Sequence, residues 1–267
     1  MTPTIDDGAT ASIEASLHSL AATSPRTLVL DTLIAVGLAD GYASIATPIG
    51  SMWVAWNGLG VSLISGGMDA AAFEAEFIEA FHRPLTRVDE LPDRLARVIE
   101  RRLAGDRRAR VPVDLRGRTS FERAVLDKTV QIPRGEVRPY GWIAAEIGHP
   151  AAVRAVGTAL AKNPIPLVIP CHRVVRTDGH IGRYSLGGPE NKRALLTWEG
   201  ADPDGLEELA SGGIRYVGSD TTRIVCHLTC RHARRITARH RVPFRSLGDA
   251  ATRGYRPCRD CRPVRVA

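Results

Sequence analysis

The chain has 267 residues, a net charge of +7, a 44% hydrophobic content and an ordinary share of Gly and Pro, which excludes a disordered or fibrous protein. At roughly 100 to 200 residues per domain, two or three domains are expected. The longest apolar stretch, Thr27 to Leu38, is broken by Asp31 and falls short of the ~20 residues a bilayer needs, and Met1 to Ser24 has no basic start or apolar run of a secretory signal, so a cytoplasmic protein without a membrane span is expected.

Residues 1–24 read as a flexible tail. Ser24-Pro25 then offers an N-cap and a first-turn proline for a helix over Arg26 to Leu38. Ser44 to Ala46, Met52 to Trp56 and Val61 to Ile64 are strand-like runs, the last two joined by the hairpin signal Asn57-Gly58, so a small antiparallel sheet is predicted. Asp69 caps a helix through about His82 whose Phe73, Phe77 and Phe81 recur at four-residue spacing, a core pattern, and Pro92 starts another helix through Leu103. Ala104 to Arg118, rich in Arg and poor in periodicity, reads as a linker.

Thr119-Ser-Phe-Glu122 is a capping box that opens a helix to about Val130. Tyr140 to Ile147 and Ala151 to Lys162 follow as two short helices around Gly148-His149-Pro150, the spacing of a helix-turn-helix. The second holds Ala151, Ala152, Ala155, Gly157 and Ala159 with one long cation, Arg154. Such a face suits close approach to a nucleic-acid backbone or tight packing against another helix, and periodicity leaves both open. Asn163-Pro-Ile-Pro166 ends this helix and leads through Leu167 to Ile169 into Pro170-Cys171-His172-Arg173. Pro189 starts a helix through Trp198 and Glu199, and the acidic stretch Ala201 to Gly213 reads as a second linker. The last segment has a strand-like Arg223 to Val225 and a helix capped by Ser246.

Residues 222–267 hold 12 Arg against Asp249 and Asp260, a local charge of +10 that leaves −3 for the rest of the chain. Arginine without lysine suits phosphate, whose oxygens the guanidinium fork grips bidentately, although a solvated basic tail would look the same. Four of the five cysteines, Cys226, Cys230, Cys258 and Cys261, form C-x3-C and C-x2-C pairs. In a reducing compartment two short-spaced pairs point to one zinc ion in preference to two disulfides. The fifth, Cys171, is a candidate nucleophile, although a lone buried cysteine is usually inert.

Phe121 to Gly200 resembles the O6-alkylguanine-DNA alkyltransferases, through GEVRPY, VRAVGTAL, NPIPLVIPCHRVV, GRYSLGG and the closing WEG. Residues 222–267 resemble the zinc-binding methylphosphotriester domain of Ada-type repair proteins, through VCxxxCR and GYRPCRDCRP. This chain departs from the usual Ada pattern in placing that domain after the alkyltransferase unit and not before it, in having His227, Leu228 and Thr229 between the first cysteine pair, and in having no AraC-like helices between the two. The resemblance implies a mixed α/β (α+β) protein with an RNase-H-like N-terminal domain at 25–113, a winged-helix alkyltransferase domain at 114–205 and a small zinc-bound domain at 217–267.

By the same resemblance Cys171 accepts an alkyl group from O6 of guanine in double-stranded DNA, His172 and Glu199 form the relay that deprotonates it, Asn163 orders the turn, and Tyr140 donates toward the leaving guanine. Arg154 is the finger that fills the place of a flipped-out nucleotide. The carbonyls of Cys171 and Val174, with Tyr184 and Ser185, line the base pocket, and Arg173 lies on the substrate and DNA side. Cys226 is the implied methyl acceptor from a methylphosphotriester. A soft thiolate is the right nucleophile for a saturated carbon, but lowering a thiol pKa of ~8.5 gains only about tenfold near neutrality, so positioning and leaving-group protonation must supply the rest. Consecutive side chains on an extended segment point apart, so a relay through His172 needs a turn or a bridging water. The protein is expected to be a monomeric, single-turnover methylated-DNA–protein-cysteine methyltransferase with one zinc ion and no organic cofactor. The competing reading is a DNA-damage recognition or regulatory DNA-binding protein without alkyl transfer.

Overall fold

The computed structural model describes residues 26–264, and the tail expected at 1–24 lies outside the described residues. The fold is mixed α/β. After helix α1 (Arg26–Ala35), strands β1 (Asp40–Thr47), β2 (Gly50–Asn57) and β3 (Gly60–Gly66) pair antiparallel in sequence order, and β4 (Leu85–Arg87) adds in parallel to β1, giving the order β3-β2-β1-β4. The Asn57-Gly58 turn is where the hairpin signal put it. Asn57 Oδ1 accepts from the Leu59 N–H at 2.8 Å. Gly58 is required there because a Cβ would lie 1.8 Å from the Ala35 carbonyl oxygen at the end of α1.

Alternation along these strands sends side chains to two faces. Tyr42, Ala55 and Leu63 pack with Phe73 and Phe77 of helix α2 (Ala70–Phe81), which Asp69 caps by accepting from the Ala72 N–H at 2.9 Å. Ala43, Val54, Val61 and Ile64 face the opposite way, into a core shared with helix α3 (Asp93–Leu103) and with the segments beyond residue 120.

Residues 104–118, expected as a linker, are instead held against β3. Val113 bridges Val61 of β3 in parallel, the Asp114 N–H donates to the Val61 carbonyl at 2.7 Å, and the Asp114 carboxylate is buried. Asp114 and Asp40 share donors from Asn57, at 2.9 and 3.0 Å, and from Arg83. The segment is held by backbone pairing and a buried charge cluster, neither of which produces a hydrophobic period.

The capping box at Thr119 and Glu122 is formed and opens helix α4 (Ser120–Val130). Strand β5 (Arg138–Pro139), helix α5 (Tyr140–Glu146) and helix α6 (Val153–Ala161) follow, and β5 pairs in parallel with β6 (Val174–Val175) just past Cys171. Helix α7 (Gly188–Trp198) ends at Glu199. The second expected linker is corrected as well: residues 203–211 form helix α8 (Pro203–Ser211), because Asp202 caps it, Pro203 sits in its first turn, and Leu206 and Ala210 bury its inner face.

The cysteine-rich segment builds a second four-stranded sheet, with β7 (Tyr216–Ser219), β8 (Ile224–His227), β9 (Arg241–Phe244) and β10 (Arg256–Pro257) in the order β10-β8-β7-β9. Its helix α9 (Leu247–Thr252) is capped by Ser246 as expected. Two small cores flank this sheet, one around Tyr216, Phe244 and Tyr255 and one around the cysteines. No helix among the described residues is long and apolar enough to cross a membrane.

Candidate active site and metal centre

Asn163, immediately after α6, organises the loop that carries Cys171. Its Oδ1 accepts from the Ile165 N–H at 3.1 Å, and its Nδ2 donates to the Ile169 carbonyl at 2.9 Å and to Cys171 Sγ at 3.2 Å. Within this loop Leu167 takes a left-handed conformation with φ of 71°, which costs of order 1 kcal/mol or more and is held only by such surroundings. Cys171 to Arg173 then form a single 3₁₀ turn, one of the two arrangements a relay through His172 allows. Cys171 is 6% exposed.

His172 and Glu199 are both buried, and His172 Nε2 lies 2.9 Å from Glu199 Oε1. Burial pushes the Glu199 carboxyl up, but the hydrogen bonds from His172 and Arg173 outweigh it and hold the carboxyl at about 2. Burial holds His172 below the usual imidazole range against the opposing pull of Glu199. The imidazole is therefore neutral beside an ionised carboxylate, which can only accept, so the ring proton sits on Nε2. The other nitrogen, Nδ1, is buried with no protein hydrogen-bond partner among the described residues. Burial also pushes the Cys171 thiol up, opposed by the Asn163 N–H and the charge of Lys192. The turn thus carries a protonated thiol and, on the following residue, a basic nitrogen left without a partner; a proton passing from one to the other would need a bridging water.

Arg173 is corrected. It does not face a DNA-binding surface but is 5% exposed, donating Nε and Nη2 to Glu199 at 2.9 and 2.7 Å and Nη1 to the Ile132 carbonyl at 2.6 Å. An ionised carboxylate this deep needs a bidentate partner, and the next residue of the turn supplies it.

Lys192 was missed. It is 1% exposed, and its Nζ donates to the Val174 and Ile181 carbonyls at 2.6 and 2.8 Å, tying the 174–183 loop to α7. Burial lowers its pKa to about 8, with Cys171 and Glu207 opposing. The Val174 carbonyl, expected in the base pocket, therefore already accepts from Lys192. The signal was present: Lys192 falls three and four residues before the buried Leu195 and Leu196 and seven before Glu199, on the inner face of its helix.

Tyr184 meets the His172 ring edge-on at 6.3 Å, and its hydroxyl is pushed well up by burial and by the Cys171 sulfur. Tyr140 is half-buried and shifted the same way by burial and by Cys171, while Ser185 is exposed. Arg154 is exposed on the first turn of α6, beside exposed Ala151 and Ala155, and a Cβ on Gly157 would meet nothing within 4 Å. Ala151, Ala155 and Gly157 thus leave open space around this end of the helix, while Val156, Ala159 and Leu160 do the packing.

The sulfurs of Cys226, Cys230, Cys258 and Cys261 all lie within 4.8 Å of one another. The donor set fits zinc. Sulfur contacts from Cys226 and Cys261 hold the Cys230 thiol low, whereas contacts with Cys230 and Cys261 push Cys226 up. Four thiolates so close repel one another unless a divalent cation joins them. The His227 N–H donates to Cys261 Sγ at 3.4 Å, the kind of outer hydrogen bond that orients a metal thiolate. Cys226 and Cys258 line a cavity of about 640 Å³ whose wall carries Thr221, Arg235, Arg256 and Arg259.

Residues 120–201 match the family described as 6-O-methylguanine DNA methyltransferase, DNA binding domain, and residues 210–264 match the metal binding domain of Ada. Over 101 residues the chain is 48% identical to the methylated-DNA–protein-cysteine methyltransferase of Rattus norvegicus, covering 38% of this chain and 47% of that protein. Over 89 residues it is 49% identical to the protein of the same name from Mycobacterium tuberculosis, covering 33% of this chain and 53% of that protein. The chain thus spans about half the length of the curated relatives it matches. The crystal structure of the Mycobacterium tuberculosis O6-methylguanine methyltransferase superposes with a TM-score of 0.49 at 32% identity, over 60% of this chain and 92% of that one. That of the O6-methylguanine-DNA methyltransferase of Pyrococcus kodakaraensis gives 0.48 at 28% identity, over 60% and 99%.

Glu199 makes a pH-dependent contribution to stability. Its folded value of about 2 lies below the ordinary carboxylate value of ~4.3, so its stabilisation is complete above about pH 5 and is lost as the pH falls through the folded value. Glu199→Gln is expected to lower the urea-unfolding free energy by about 3 kcal/mol near neutrality and by no more than about half of that near pH 3. Equal deficits at the two pH values would contradict this electrostatic assignment.

Proposed function

Because the chain belongs through residues 120–201 to the 6-O-methylguanine DNA methyltransferase family and carries the metal binding domain of Ada at 210–264, we propose that it repairs alkylated DNA by direct reversal, in a single turnover per acceptor cysteine. The observation that carries this reading is the Asn163–Cys171 contact together with the buried His172–Glu199 pair one residue further on.

Cys171 Sγ attacks the alkyl carbon on O6 of guanine. The S–C bond forms as the C–O6 bond breaks, and the electron pair of the broken bond leaves with guanine. His172 Nδ1 takes the thiol proton, a transfer that one water can carry, and Glu199 stabilises the imidazolium that results. Tyr140 donates toward the guanine as its charge develops. Tyr184, Ser185 and the Cys171 and Val174 carbonyls border the base. The thioether product resists hydrolysis, which is why each sulfur reacts once.

A methyl group inside a duplex is out of reach of a sulfur this buried, so the nucleotide must rotate out, at a few kcal/mol of stacking and pairing. The exposed small residues Ala151 and Ala155 beside Arg154 support close approach to the backbone, with Arg154 filling the vacated place. The units are proposed as an RNase-H-like domain at 25–113, a winged-helix domain at 114–205 and a zinc domain at 217–267, acting as a cytoplasmic monomer on double-stranded DNA.

In the last unit, zinc bound by Cys226, Cys230, Cys258 and Cys261 supplies charge that keeps the sulfurs ionised at neutral pH. Cys226, facing the Arg-walled cavity, then takes the methyl group of a methylphosphotriester, whose diester leaves as the anion. The methylated phosphate is locally neutral, while the arginines hold its charged neighbours.

Intact-protein mass after incubation with DNA carrying O6-methylguanine or methylphosphotriesters is the test. One methyl gain is expected from each substrate, lost in Cys171→Ala and Cys226→Ala respectively. An unchanged mass with DNA retained would favour recognition without transfer. In addition, Arg154→Ala is expected to slow repair of duplex DNA at least about tenfold, given the unpairing cost, while sparing reaction with free alkylguanine base; equal losses in both assays would remove the finger role.

A further inference from the structure

Between α4 and α5 the strap Pro133-Arg134-Gly135-Glu136-Val137 is gripped from two sides. On the α7 side the Gly135 N–H donates to Glu199 Oε2 at 3.2 Å, and Arg134 Nη2 donates to the Trp198 carbonyl at 2.6 Å while its guanidinium lies over the Trp198 ring. On the other side the partners come from the zinc unit. Arg234 Nη2 donates to the Gly135 carbonyl, the Arg231 N–H donates to Glu136 Oε1 at 3.1 Å, and Thr229 Oγ1 accepts from the Val137 N–H at 2.8 Å.

These three residues flank the zinc ligand Cys230. Arg234 is itself fixed there, since its N–H donates to the Cys230 carbonyl at 3.1 Å and its Nε to the Thr229 carbonyl at 3.1 Å. Gly135 leaves no slack in the connection. It has φ of +72°, and a Cβ on it would lie 2.7 Å from the Glu199 carbonyl oxygen and 3.2 Å from Arg234 Nη2. One residue, through its N–H on one side and its carbonyl on the other, thus joins the turn at Cys230 to the carboxylate beside His172.

We propose that Arg234 is a positioning residue for the Cys171 site: through Gly135 the zinc unit holds Glu199 in the orientation that serves His172, so the reactivity of Cys171 depends on a turn anchored at the metal centre. The inference rests on the alkyl-transfer reading above. Glu199 Oε1 accepts from His172 and Arg173, and Oε2 accepts from Arg173 and Gly135. Among the described residues, Gly135 is the one donor to Glu199 that does not come from the 171–173 turn itself. If the strap withdraws, Oε2 keeps only Arg173, and the carboxylate is free to swing toward that guanidinium and away from the imidazole. The His172 ring then loses the charge that raises its pKa and the contact that fixes its tautomer. The β5–β6 pairing restrains the strap from Arg138 onward and does not reach Gly135.

The test uses the full-length, zinc-loaded protein and Arg234→Met, which keeps the aliphatic stem without the donors, Arg234→Lys, which restores one cation, and Thr229→Val, which removes the Val137 acceptor. The rate of Cys171 alkylation by free O6-methylguanine base is followed against pH, with zinc content and Cys226 methylation measured on the same samples. Arg234→Met is expected to keep zinc and Cys226 methylation and to react at Cys171 about tenfold more slowly, the worth of one hydrogen bond to a charged group. Its acid limb is expected to move to lower pH, because Glu199 raises the His172 pKa in the wild type. Arg234→Lys is expected to recover part of both effects, and Thr229→Val to show the same shift on a smaller scale. A wild-type rate and pH profile in zinc-loaded Arg234→Met overturns the proposal. Should that variant lose zinc, an unshifted profile in zinc-loaded Thr229→Val overturns it. Absence of alkylation at Cys171 in the wild type would instead strike the alkyl-transfer reading itself.

Discussion

A carboxylate ionised in the interior of a protein has to be matched on every side, and the Cys171 region is organised around meeting that demand for Glu199. Arg173 closes a bidentate pair with it, His172 donates from Nε2, and a backbone N–H from the α4–α5 strap takes the remaining approach. Removing one partner of such a cluster costs ~3 to 5 kcal/mol. The elements that carry the partners, the 171–173 turn, the end of α7 and residues 133–137, are therefore locked together. The chemical consequence is a neutral imidazole with one nitrogen left without a partner, on the residue that follows Cys171.

In the proposed reading the chain makes sulfur reactive in two ways. At Cys171 the thiol is kept protonated by burial, and a base is provided for the instant of attack. At Cys226 the thiol is pushed up by its sulfur neighbours, and a divalent cation makes four adjacent thiolates tolerable. The first strategy needs an oriented side-chain relay and the second needs a closed cage, which is why one site draws on distant segments and the other on two tight turns. The two meet where the zinc unit lies against the strap. Trp142 Nε1 donates to the Arg262 carbonyl at 3.1 Å, and Val264 packs on the main core.

What could be read from the sequence was what local chemistry writes into short strings. Asp69, Ser246 and the Thr119–Glu122 box cap their helices, Asn57-Gly58 turns its hairpin, and the cysteine spacings converge. What could not be read depends on partners far along the chain. Residues 104–118 read as a linker because they carry no hydrophobic period, yet Asp114 is buried against Asp40 and Asn57. The acidic stretch before the zinc unit hid helix α8 because its buried face is only Pro203, Leu206 and Ala210. Strands β4, β7 and β9, of three or four residues, are too short for alternation to show. In the site, Cys171, His172, Asn163 and Glu199 fell together around one turn as their motif suggested. Arg173 went to the interior because Glu199 needed a counter-charge, a requirement invisible until the two were seen side by side.

The central claim is that Glu199 holds His172 as a neutral base with its proton on Nε2 and Nδ1 free. The direct measurement is the pair of imidazole nitrogen chemical shifts of His172 in selectively ¹⁵N-labelled, zinc-loaded protein near neutral pH. The account predicts one pyrrole-like shift at Nε2 and one pyridine-like shift at Nδ1. An imidazolium, or a proton on Nδ1 with Nε2 bare, would contradict it.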